Sequence, residues 1–191
     1  MKYLAIFLAF FVAFSVSAQI NYKNTDMRGH NFAGQNLAGV DMSYSIFDGS
    51  DFSNANLQGA NLDHSSCAGC VLNSANLDHA NISNGIYDGA KFITAILDNV
   101  IAFKVSALGA NFERAKVFDG NFTGGNMQRT SWVKARVKAS TFYDANLKQM
   151  RIDLAELVAN NYRKSNLFGV NFRKAKSSSL NDFLGYFRSS T

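Results

Sequence analysis

The chain has 191 residues, 47% of them apolar, and a formal net charge of +5, a globular composition sufficient for one domain with its own core. Two cysteines are too few for a disulfide-stapled scaffold. Proline is absent from the whole chain, which suits a fold of continuous backbone ladders that cannot spare an amide proton.

Met1 and Lys2 precede an unbroken apolar run from Tyr3 to Phe14, followed by small residues ending in Val16, Ser17 and Ala18. A charged start, an apolar middle and a small-residue end predict a secretory signal peptide over residues 1–18, cut after Ala18. The other reading, a retained anchor, meets an obstacle of length, since a bilayer needs about 18–20 apolar residues. The expected location is therefore secreted or periplasmic. Residues 19–25 read as a lead-in or N-terminal cap, 26–176 as the body and 177–191 as a C-terminal cap.

In the body, every fifth residue from Tyr22 to Phe172 is apolar, 31 consecutive positions without a slip. Two residues before each of these centres the chain is mostly small, as at Ala55, Ala60, Ala75 and Ala80. Immediately before the centre stands Asn or Asp in many repeats, and two residues after it Gly is frequent. Residues five apart face opposite sides of a straight strand and are offset by roughly 140° on an α-helix. The centres can all be buried only if the backbone turns a corner once per repeat, with the centre and the residue two before it pointing inward. Asn, Asp and Gly then occupy the corners, where they tolerate tight or left-handed backbone.

The repeats ANLQG at 55–59, ANLDH at 60–64 and 75–79, ANFER at 110–114 and ANLKQ at 145–149 resemble the A(D/N)LXX motif of pentapeptide-repeat proteins. The resemblance covers about residues 22–175. It implies an all-β fold, a right-handed quadrilateral β-helix of about 7.5 coils at 20 residues per coil, with residues 20 apart stacked in columns. At a strand spacing of about 4.8 Å such a rod is roughly 36 Å long.

Two segments depart from the motif. In 96–108 the centres shrink to Ala102 and Ala107, while Ile101, Phe103 and Leu108 take outward positions. This leaves open a locally weakened or bulged coil, and an exposed apolar patch for a partner that would also enlist Ile86, Ile93 or Phe118. After Ala175 the five-residue register stops. Leu180, Phe183, Leu184 and Phe187 fall at i, i+3, i+4, i+7, which predicts a short capping helix over the open end of the ladder. Some pentapeptide-repeat proteins dimerise through this region, so the resemblance also carries a homodimer through the tail.

Catalytic constellations are sparse. His30, His64 and His79 share no column and form no ligand-spaced cluster, so neither a metal, a cofactor nor an enzymatic activity is expected. Cys67 and Cys70 form a CAGC sequence with both thiols directed inward around one corner; lacking a strand-to-helix context, they read as buried packing residues, free or joined in a local disulfide, rather than as a redox pair.

Charge is distributed unevenly: residues 21–98 carry three basic and eight acidic side chains, net −5, and residues 99–191 carry fifteen basic and six acidic, net +9. On 20-residue columns, Arg114, Lys134 and Lys174 share one column and Lys116, Arg136 and Lys176 its neighbour, with Lys138 close by and Leu154 and Glu156 interrupting. This basic ridge would attract an anionic partner, whether nucleic acid, lipopolysaccharide or another acidic envelope polymer, or an acidic protein face, or serve only to keep the rod solvated. The expected function is a non-enzymatic scaffold. The alternative, a DNA mimic binding type II topoisomerase as some members of the family do, would resemble a strongly acidic cytoplasmic rod, whereas this chain carries an export signal and a net charge of +4 beyond it; nucleic acid is not the expected partner.

Overall fold

The computed structural model describes residues 21–172, 174–178 and 182; the expected signal peptide and its cut site lie outside the described residues. The backbone winds as a four-sided parallel β-helix. Asn21 bridges Asp41, Asp26 bridges Ile46, Asn31 bridges Asp51 and Asn36 bridges Asn56, and each of these four columns continues along the rod in steps of 20. The first side thus holds residues 21–23, 41–43 and so on, the second 26–28 onward, the third 31–33 onward and the fourth 36–38 onward. Winding already includes residues 21–25, given to a lead-in by the sequence.

Each side is held by two bonds of a parallel ladder. The amide of the centre donates to the following coil, as from Met27 to the Ile46 carbonyl at 2.7 Å, and the residue before it donates to the preceding coil, as from Asp51 to His30 at 3.0 Å. On the fourth side the extended stretch lengthens into strands β1 (Lys116–Phe118), β2 (Arg136–Lys138), β3 (Glu156–Val158) and β4 (Lys176–Ser178), parallel and in that order. Ser177 and Ser178 therefore run as strand where a helix was expected over 177–191; Leu180, Phe183, Leu184 and Phe187 lie outside the described residues. The last bridge joins Asn161 to Asp182, one residue beyond the 20-residue step.

Between sides the chain closes a tight turn, as where the His30 amide donates to Met27 at 3.2 Å. Its second inner residue has positive φ, the requirement of a type II turn. From Asn24 to Gly169 every fifth residue has φ between 52° and 74°. Glycine supplies this at 10 of the positions and the other 20 are L-residues bearing a side chain, a conformation most costly for a β-branched one. Thr94 (φ 59°) is that case. Thr94→Gly is expected to raise stability by about 1 kcal/mol, the relief of strain exceeding the entropy cost of glycine; an unchanged or lower midpoint in urea would contradict it.

The inward columns form one continuous apolar interior. On the third side the rings stack face to face, Phe32 on Phe52 at 4.7 Å, Phe92 on Phe112 at 4.6 Å and Phe112 on Trp132 at 4.2 Å. The first side stacks Phe122 on Phe142 at 5.1 Å and Phe142 on Tyr162 at 5.2 Å. Tyr87 is fully buried beside Ser65, whose Oγ lies 3.2 Å from its hydroxyl, and burial pushes its phenol far above the ordinary value.

The coil over 96–108 is not bulged, which corrects that reading. Its bridges keep the 20-residue step. Where the centres shrink to Ala102 and Ala107, the preceding inward positions grow to Val100 and Val105, both buried. Gly120 and Gly125 in the next coil pack beside these valines: a Cβ at Gly120 would lie 3.4 Å from Val100 Cγ1 and 2.8 Å from Val117 Cγ1, and one at Gly125 3.4 Å from Val105 Cγ1 and 3.1 Å from the Phe122 carbonyl oxygen. Volume is exchanged between neighbouring inward positions, so the interior stays close-packed.

Cys67 and Cys70 are joined in a disulfide around one corner, Cα atoms 5.2 Å apart and both side chains fully buried. Of the two states the sequence left open, the structure contains the bonded one.

The corners over 117–120 and 137–140 close differently, because Phe118 and Lys138 stay extended in their strands. The Gly120 amide donates to Ser140 Oγ at 3.1 Å, and the Ser140 amide to Asn160 Oδ1 at 2.9 Å. Asn160 Nδ2 in turn donates to the Val137 carbonyl at 3.0 Å. Ser140 and Asn160 are each 1% exposed. They occupy inward positions that elsewhere hold mostly small residues, Ser45 and Ser50 among them, and here they supply partners for backbone groups of the extended corner.

Candidate functional site

The fourth side and the corner before it carry the candidate ridge. Lys116 stands opposite Arg136 in the β1–β2 register, Arg136 opposite Glu156, and Glu156 opposite Lys176. Like charges directly opposed on a sheet repel, and two carboxylates relieve the contact. Asp98 Oδ2 lies 2.6 Å from Lys116 Nζ, and Glu156 Oε2 lies 3.3 Å from Arg136 Nε. Asp98 also accepts the Phe118 amide at 3.0 Å, which fixes its position.

The Phe118 ring lies beneath both cations, 4.5 Å from Lys116 Nζ and 5.9 Å from the Arg136 guanidinium carbon. Phe118, Arg136, Val137, Lys138, Glu156 and Val158 line a shallow open groove across β1 to β3. On the adjoining corner, Arg114 and Lys134 hold positive-φ positions and are exposed, and Lys174 follows two coils after Lys134. Arg114 Nε is 3.7 Å from the neighbouring Glu113. The seven cations are thus brought to one side and one corner, with Lys116 and Arg136 engaged by carboxylates and Phe118 supplying an apolar floor. The sequence had placed Phe118 with the apolar patch rather than here, and nothing had marked Asp98 as the counter-ion of Lys116, since the two stand on different columns.

The apolar candidates Ile101, Phe103 and Leu108 are exposed, at 47%, 39% and 39%. Ile101 and Phe103 flank the buried Ala102 on the first side, and Leu108 follows on the second, across the corner at Lys104. Ile86, also exposed, stands one storey earlier in the column of Ser106. Lys104 Nζ lies 5.0 Å from the Phe103 ring centroid.

The acidic half is strongly hydrogen-bonded. Asn99, His79 and Gln58 all bond Asp78, and the Asn99 bond first among them holds its carboxyl below the usual range; Ser53 does the same for Asp51 through its side chain and its amide. These groups keep their charge at neutral pH. Among the described residues no group of three or more His, Cys, Asp or Glu side chains is arranged to hold a metal ion, and no helix is long and apolar enough to cross a membrane.

A four-sided coil with small inward residues and Asx-rich corners is the architecture of one known class. The family model of pentapeptide repeats matches residues 23–54 and 50–86, in eight copies, and over that stretch the chain is similar to pentapeptide-repeat proteins. No curated protein sequence matches it. Among solved structures it is similar to HetL, a pentapeptide-repeat protein involved in heterocyst differentiation regulation from the cyanobacterium Nostoc, at 20% identity over 87% of this chain and 86% of that one, TM-score 0.57. It is also similar to trypsin-treated QnrB1, a plasmid-mediated fluoroquinolone resistance protein, at 15% identity over 88% and 86%, TM-score 0.59. These likenesses establish the shared right-handed four-sided β-helix.

Proposed function

We propose that the chain is an exported, non-enzymatic binding scaffold whose fourth side takes an acidic polymer of the cell envelope or an acidic protein face. The observation that carries this reading is the gathering of Arg114, Lys116, Lys134, Arg136, Lys138, Lys174 and Lys176 on one side and corner, around a groove floored by Phe118 and Val137. Ladder geometry holds those cations at fixed spacing, so a polyanion meets them with little ordering cost. The buried disulfide suits the oxidising compartment that the export signal implies. A topoisomerase-binding DNA mimic would need an acidic rod, and this surface is basic along its C-terminal half.

Heparin, a soluble polyanion, tests the ridge. Replacing Arg114, Lys134, Arg136 and Lys174 by Ala is expected to weaken heparin affinity roughly tenfold or more at low salt, the loss shrinking as salt rises. Equal elution of the variant and the parent would leave the ridge with no role beyond solvation.

A further inference from the structure

The exposed apolar patch lies on the first two sides, away from the ridge, and at mid-length. In its column Ile101 has Asn21, Asp41, Asn61 and Asn81 before it and Asn121, Thr141, Asn161 and Asp182 after it. The surface on either side of this midpoint has opposite sign. Before it, the first two sides and their corners carry Asp26, Asp41, Asp48, Asp63 and Asp88 against Lys23 and Arg28, net −3. In the storeys after it, the same sides and corners carry Arg129, Lys148, Arg163 and Lys164 against Asp144 and Asp182, net +2, while Lys104 stands at the level of Ile101 itself.

We infer that these two sides form the interface of an antiparallel homodimer, with the partner a second copy of this chain related by a two-fold axis through the level of Ile101. A two-fold interface must be self-complementary. Reversing one rod about that level sets patch on patch and the acidic end of each copy on the basic end of the other. Asp63, two storeys before Ile101, meets the storey of Lys148, two storeys after it. Asp41 and Asp48, three storeys before, meet the storey of Arg163 and Lys164. Parallel alignment would oppose like charges along the whole length. Apolar contact at the centre supplies the area removed from water, and the two flanking charge fields set direction and register.

Sedimentation velocity on the purified protein, across about 1–100 µM, is expected to show a monomer–dimer equilibrium that weakens from about 0.02 to 0.5 M salt. Phe103→Lys, and independently Ile101→Lys, should leave a folded monomer throughout, with the far-ultraviolet spectrum unchanged. Arg129→Glu with Lys148→Glu, which leaves the patch and the ridge intact, should weaken association about tenfold at low salt and little at high salt. A monomer under every condition would overturn the inference, and so would a dimer indifferent to both Phe103→Lys and salt, which would place the contact elsewhere, including the C-terminal tail.

Discussion

Trp132→Ala is expected to lower stability by about 3–5 kcal/mol, or roughly 10 °C in the melting midpoint for a domain of this size. Trp132 lies 4.2 Å above Phe112 and meets Phe122 and Phe142 edge-on, both at 5.9 Å. Its removal takes away one layer of the third-side stack and the edge packing of two rings on the first side. The indole Nε1–H donates to Thr130 Oγ1 at 3.1 Å, while that hydroxyl donates to the Met127 carbonyl at 2.8 Å, so Thr130 keeps its own partner and the loss is one of packing. Trp132→Phe, which preserves the stack, should cost clearly less. Calorimetric midpoints for the pair decide the matter: equal losses would mean that the stack carries no special weight.

Asn160→Leu is expected to cost about 2–5 kcal/mol although it exchanges a polar side chain for an apolar one of similar size in an apolar interior. The reason is backbone satisfaction. Without Asn160 the Ser140 amide and the Val137 carbonyl both lose a partner inside the rod, and an orphaned buried group costs about 1–3 kcal/mol. Asn160→Asp separates this account from one of shape. An ionised carboxylate still accepts from Ser140 but cannot donate to Val137, and burial raises its pKa above the unfolded value. The native state of that variant then binds the extra proton, so its stability is greatest at acid pH and falls as pH rises through the raised value. Urea midpoints of the variant measured against the parent at about pH 4 and pH 7 would show it; a deficit that does not grow with pH would remove the hydrogen-bond explanation.

Much of the architecture was legible in the residues because a period of five is incompatible with straight elements, and the 31 centres fixed which side chains face inward. The corners were legible for the same reason, although Lys104, Arg129 and Leu154 at positive φ show that position in the repeat overrides residue preference there. Three things escaped. The exchange of Ala102 for Val100, and of Ala107 for Val105, looked like a bulge because the centres were read alone, and volume is shared between columns. Ser140 and Asn160 occupy small inward positions without distinction in sequence; the need they meet arises from an extended corner one coil earlier, at Val117 and Val137. At the ridge, the columns gave the cations but not the pairing of Lys116 with Asp98, which runs diagonally between coils and depends on the Asp98 carboxylate being held by the Phe118 amide.

The constant step along the ladder has a genetic consequence. Duplicating any 20 consecutive residues between Asn21 and Asn161, wherever the cut falls, inserts one additional floor and returns every inward, outward and corner position to its place, whereas a copy of 19 or 21 displaces everything beyond it. Length is therefore a quantity that tandem duplication can lengthen or trim in whole units. Surface charge is free to diverge afterwards, because the interior constrains only two residues in each five.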